Sequence, residues 1–197
     1  MKKIIRIFSA LAVFTAVFST SCSPDDSIAP SDSTGGGGGT APASFFSAKV
    51  GDNSFPTADV KFTTATFVNA TKMLQITGQP ADRKETIVLT LMPFGGKVKE
   101  PIDWKPGSYD FDPIHVTNVE YLASAEYNKW NGSGYDQWFT KWDYVKTGKI
   151  IIESNSGTHI KGTFYFDAVL KNTDGTFNSS NIKQITEGTF DLDLKTL

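Results

Sequence analysis

The chain has 197 residues, and its 19 Lys and Arg against 21 Asp and Glu leave a formal net charge of −2. Without a basic stripe or a basic-aromatic module, this balance argues against nucleic acid as a partner. A single cysteine, Cys22, rules out a disulfide within the chain.

Residues 1–21 read as an export signal. Lys2, Lys3 and Arg6 form a basic head, and Ile7 to Phe18 is apolar apart from Ser9 and Thr15, too short to cross a bilayer as a helix. The small residues Ser19, Thr20 and Ser21 then lead into Cys22. This junction resembles the lipobox of bacterial lipoproteins, with Ser19 where that pattern prefers leucine. The resemblance implies cleavage before Cys22, lipid on its sulfur, and a membrane as first partner. One acyl chain holds only marginally, whereas several on one cysteine hold almost permanently. Removal of the signal takes the 19 basic residues to 16 against 21 acidic, a mature net charge of −5.

Residues 22–44 carry Ser, Asp, Pro and Ala and the run Gly35 to Gly39, the composition of a flexible linker. Its coil reach is roughly 25 Å, enough to clear lipid headgroups. Asp25 and Asp26 resemble the acidic signal that directs Bacteroidota lipoproteins to the outer face of the outer membrane. Asp26-Ser27-Ile28 and Asp32-Ser33-Thr34 resemble O-glycosylation triplets of that phylum; a plain acidic linker is the competing reading.

Residues 45–197 read as one all-β domain, an antiparallel β-sandwich or partly closed β-barrel of eight to ten strands. Phe45 to Val50 alternates with Phe46, Ala48 and Val50 on one face, then turns at Gly51 to Ser54. Asp59 to Asn69 reads as a strand with Val60, Phe62, Thr64, Thr66 and Val68 sharing a side. Leu74, Ile76 and Gly78 follow, and Ile87, Leu89 and Leu91 point inward from Glu85 to Met92. Lys105 to Ser108 is a turn into Tyr109. After the run Lys149 to Ser154, Thr158 to Leu170 forms a long strand with Ile160, Gly162, Phe164, Phe166, Ala168 and Leu170 on one side. Asn172 to Gly175 turns the chain, and the alternation of Gly188 to Leu194 predicts a strand antiparallel to the last. No stretch keeps a helical period.

Phe45 to Phe55, Pro106-Gly107-Ser108-Tyr109, Gly162-Thr163-Phe164-Tyr165-Phe166-Asp167-Ala168 and Glu187-Gly188-Thr189-Phe190 resemble a family of Bacteroidota lipoproteins of unknown function, with single all-β domains behind a lipobox. The resemblance implies location and fold, and no activity.

Trp130, Trp138 and Trp142 fall close together with Tyr121, Tyr127, Tyr135, Phe139 and Tyr144, among Asn128, Asn131, Asp136 and Gln137. Two readings stay open. Trp130, Tyr135, Trp138 and Trp142 make a platform on which sugar rings stack, or the aromatics plug one end of the core with Trp138 and Trp142 turned inward. The first makes glycan the leading candidate ligand; an envelope protein is another partner such a domain would take. His115 and His159 lack ligand spacing, so no metal and no cofactor are expected. Asp110 with Asp112, and Asp191 with Asp193, read as solvent-facing strand residues, and Asn172 to Gly175 as a plain turn without the later glutamate of a calcium loop. No nucleophile elbow is present, so the chain reads as a non-enzyme. The expectation is thus an outer-membrane, lipid-anchored binding module; a lipocalin-like carrier of a small apolar ligand is the alternative, disfavoured by the many phenylalanines.

Overall fold

The computed structural model describes residues 45–111, 120–141 and 143–197. The signal, Cys22, the linker with both triplets, Asp112, His115 and Trp142 lie outside the described residues.

The regular structure of the described chain is nearly all strand: β1 (Phe45–Val50), β2 (Asn53–Ser54), β3 (Thr64–Val68), β4 (Met73–Gly78), β5 (Glu85–Pro93), β6 (Gly107–Asp110), β7 (Tyr121–Trp130), β8 (Tyr135–Phe139), β9 (Gly148–Asn155), β10 (His159–Lys171) and β11 (Phe177–Thr196). One 3-10 turn, Pro101–Asp103, interrupts them. Eleven strands exceed the expected eight to ten because the chain also makes the two-residue β2 and the four-residue β6.

The long antiparallel hairpin of β10 and β11 is the spine. On its far edge β10 pairs first with β9, over Ile160 to Phe166, then with β8 over Val169 to Lys171. Likewise β11 pairs with β1 over Ile185 to Asp191, then with β3 over Leu194 to Thr196. The β11–β3 junction is parallel, a departure from the all-antiparallel expectation. Each spine strand therefore passes from one layer to the other, with the register shifts that accompany such bends at Phe164/Phe166 and Val169/Leu170. The strands form one eleven-stranded sheet in the order β2-β1-β11-β3-β4-β5-β7-β8-β10-β9-β6, which the β10–β11 pairing closes on itself, so that its β2-β1-β11-β10-β9-β6 part and its β3-β4-β5-β7-β8 part face each other as two layers.

Between them lies one core, in which Phe67, Leu74, Ile76, Ile87, Leu89 and Tyr127 face Phe46, Phe164, Phe166 and Phe190. The layers touch closely: a Cβ at Gly78 of β4 would stand 2.2 Å from the Phe46 ring of β1. Trp104, which the sequence reading left aside, is buried and donates its indole N–H to the Lys72 carbonyl at 3.3 Å.

The repeated Gly-Thr-Phe has a physical reason. Gly162 pairs with Phe190, Thr163 with Thr189 and Phe164 with Gly188, so the two tripeptides are each other's antiparallel complement. Each ring lies over the opposite glycine: added Cβ atoms would fall 2.6 Å from Phe190 and 2.5 Å from Phe164.

One predicted strand is corrected. Strand pairing begins only at Thr64, and Val60 is 66% exposed, because Asp59 turns the chain by accepting the Lys61 amide N–H at 2.8 Å while its carbonyl accepts those of Phe62 and Thr63. The core side of β3 is Ala65 and Phe67, so Thr64, Thr66 and Val68 look outward.

Candidate functional site

The aromatic stretch folds as a hairpin, β7 to β8, in which Trp130 pairs with Tyr135 across the tip. Asn131 builds the turn: its side-chain oxygen accepts the amide N–H of Ser133 and of Gly134, both at 3.0 Å, and its side-chain N–H donates to Asp136 at 2.8 Å. Gly132 takes a φ of 101°, which a side chain would strain. Two bonds hold the tip against the β4–β5 turn: the Trp130 amide donates to the Lys84 carbonyl at 2.7 Å and the Tyr135 hydroxyl to the Arg83 carbonyl at 2.8 Å. The rings meet edge to face, centroids 5.3 Å apart at 66°, and remain 40% and 47% exposed. Such a T-shaped pair fixes each ring.

Trp138 does not join them. Alternation on β8 turns it inward, where it is 4% exposed, packs against Tyr127 at 5.4 Å and donates its indole N–H to Asn181 at 3.1 Å. The four-residue platform is thus corrected. Trp130 and Tyr135 share an exposed tip, Trp138 belongs to the core, and Trp142 falls outside the described residues. Beneath the tip, the buried Tyr127 hydroxyl donates to Glu85 at 2.8 Å; burial and that carboxylate push its pKa well above the usual phenol range.

The outward residues next to the tip form a pattern that reading strands singly had missed. On β7 these are Asn128, Glu126 and Ser124; on β5, Thr86, Val88 and Thr90; on β4, Thr77 and Gln75; on β3, Thr64 and Thr66. The register places Thr86 beside Asn128, Thr90 between Gln75 and Ser124, and Thr77 between Thr64 and Val88. Glu126 is the one charged side chain among them, and burial raises its pKa. Asn128 Oδ1 is buried with no hydrogen-bond donor.

Residues 43–191 match a family described as a domain of unknown function, DUF6252. The chain belongs to that family. No curated protein and no solved structure matches it.

The opposite face of this DUF6252 domain carries a second cluster. His159, which lacks ligand spacing in the sequence, sits on β10 across from Asp193 of β11. Its Nδ1 lies 3.0 Å from Asp193 and its Nε2 2.5 Å from Asp191, with Lys161 Nζ 4.0 Å from the other Asp191 oxygen. The hydrogen bond to Asp193 and the pull of both carboxylates raise the imidazole pKa. With each ring nitrogen aimed at a different carboxylate, the three groups form a cross-strand clasp, and among the described residues no His, Cys, Asp and Glu group is placed to hold a metal. Asp191 is buried, so the expectation of two solvent-facing carboxylates holds only for Asp193. A small cleft of about 220 Å3 beside β1 is lined by Ser47, Lys49, Phe55 and Glu187, with Lys49 and Glu187 paired at 2.7 Å.

Proposed function

We propose that this protein is a lipid-anchored lipoprotein of the bacterial cell envelope, held to the outer membrane through Cys22, whose β domain faces outward on a flexible linker and binds glycan at the Trp130–Tyr135 tip. The basic head, apolar run and Ser-Cys junction support the anchor. The observation that carries the binding reading is the tip itself: two large rings are left in water where the core has no use for them, the Tyr135 hydroxyl bond to Arg83 and the edge-to-face contact hold the rings, and the Trp130 amide bond to Lys84 holds the backbone beneath them. Exposed, immobilised aromatic faces flanked by Asn131 and Asp136 suit the apolar faces and hydroxyls of sugars. A carrier of apolar ligands has less support, since Phe46, Phe164, Phe166, Phe190 and Tyr127 fill the space between the layers.

Two measurements test this. Cys22→Ala should move the protein from the membrane fraction to the soluble one; persistence in the membrane would end the anchoring claim. A glycan array probed with the whole chain in detergent should give a signal that Trp130→Ala removes, and an array blank for the unmodified protein would end the glycan claim.

A further inference from the structure

The tip has a neighbour that says what kind of glycan it would meet. The outer face of β3, β4, β5 and β7 shares a side with Trp130, because that residue, Asn128, Glu126 and Ser124 alternate outward on one strand. Three strand spacings make this face about 14 Å wide, and around the buried Val88 at its middle the side chains end in hydroxyls and amides: Thr77, Gln75, Thr90, Thr86, Ser124 and Asn128. Most of them are half-buried, so they are packed shoulder to shoulder and partly ordered before any ligand arrives. Cations and carboxylates are nearly missing. Lys129 and Glu85 pair with each other on the inward rim, and Glu126 is shifted toward its neutral form by burial, with a hydrogen bond from Asn128 and then Lys171 of β10 opposing that shift.

This neutrality is a property of one face and not of the protein. The outer face of the other layer carries Lys49 with Glu187, Lys149 with Asp110, and His159 with Asp191 and Asp193. An anionic polymer would find cations only at the margins of the β3-β4-β5-β7 face, at Lys195 of β11 beside Thr66, at Lys171 of β10 near Glu126 and at the Arg83–Lys84 turn under the tip, and along the rows between them it would lose hydration without compensation. An uncharged polyol exchanges water hydrogen bonds for hydroxyl and amide ones at little cost. The Asn128 Oδ1, beside the tip, is buried without a donor while the same amide hydrogen-bonds Glu126; a turn about its soft χ2 would give up that bond and present the oxygen to a sugar hydroxyl.

We propose that the outer face of β3, β4, β5 and β7 is a track for an uncharged polysaccharide, with one sugar ring set against Trp130 and the following units over the threonine and amide rows. This rests on reading the tip as a glycan contact. The track and the tip fail separately.

The test is affinity electrophoresis of the whole chain in detergent, through gels holding a neutral polymer (β-glucan, galactomannan or xyloglucan) or an anionic one (polygalacturonate or alginate). At least one neutral polymer should retard the protein and neither anionic one should. Thr90→Lys and Gln75→Lys, each setting an unpaired charge on the track, should weaken retardation by about tenfold or more. Thr186→Lys, on the charged layer, should not. Circular dichroism checks each variant, and should Thr90→Lys misfold, Gln75→Lys decides alone. If Trp130→Ala abolishes retardation while both lysine variants behave as the parent, the track is wrong and the tip stands. Retardation by the anionic polymers alone overturns the neutral ligand. Silence in every gel overturns the glycan reading as well. A dimer in sedimentation that Thr90→Lys splits would mean that a second copy, not a sugar, covers this face.

Discussion

The two outer faces of this all-β domain come from the same two-residue rhythm and end up chemically opposite. On the β10–β11 side the outward positions hold charges that find partners across strands, as His159 finds Asp191 and Asp193 and Lys49 finds Glu187. On the β4–β5–β7 side the outward positions hold threonine, glutamine, serine and asparagine around Val88, with Glu126 the one charge, and β7 ends in an exposed tryptophan. Alternation fixes the inner face tightly, because Ile87, Leu89 and Phe190 have no other place to go. It leaves the outer residues free to vary, so a face that has shed its charges reports on something other than folding.

The two tryptophans of one hairpin give the largest effect with which to break the comparison. Trp138→Ala should cost about 3 to 5 kcal/mol, since it opens a cavity against Tyr127 and strips Asn181 of its indole donor. Trp130→Ala should cost only about 1 kcal/mol, the worth of its edge-to-face contact with Tyr135. Urea midpoints of the two variants check this. Equal losses would mean that the tip is core after all and would remove the reason for giving it a function.

The spine comes next. A Cβ at Gly162 would stand 2.1 Å from the Ile151 carbonyl oxygen as well as against the Phe190 ring, so Gly162→Ala should cost about 1 to 3 kcal/mol by overpacking. The nearest atoms to a Cβ at Gly188 belong to the Phe164 ring, a side chain that can tilt, so Gly188→Ala should cost less. Thermal unfolding of the pair orders them, and the reverse order would mean that the β9–β10 edge yields more easily than the ring does. Because both glycines sit in the spine, either loss should disturb the charged and the neutral face alike.

How much of this could be read without coordinates differs by region. Ile87-Leu89-Leu91 and Ile160 to Ala168 showed their inner face in the alternation alone, and the turn Asn172 to Gly175 with the alternation of Gly188 to Leu194 marked the strands that pair. Asp59 to Thr63 did not, because a side-chain capped turn interrupts an apolar pattern without changing it. The hand-over of β11 from β1 to β3 is a long-range pairing that leaves no local signal. At the site, Trp130 and Tyr135 were nameable as aromatics, but their exposure, against the burial of Trp138, depends on which side of β8 faces the core. The clasp was invisible because His159 and Asp193 are 34 positions apart and meet only through the β10–β11 register. The neutral face was invisible for the same reason, being a property of four strands together.

The smallest effect sharpens the charged side. The folded imidazole of His159 has a raised pKa, so the folded state binds its proton more tightly than the unfolded chain does. The contribution of the clasp is therefore complete below the unfolded histidine value of about 6.5 and is lost as pH rises through the higher folded value. With the ring and Asp193 both open to solvent, the gain should stay below about 1 kcal/mol. His159→Gln should flatten the fall in urea midpoint between about pH 6 and pH 8 and leave glycan retardation untouched, because the neutral layer does not share these groups. Were the slope unchanged, the clasp would contribute nothing to stability; were retardation to change, the two faces would not be independent.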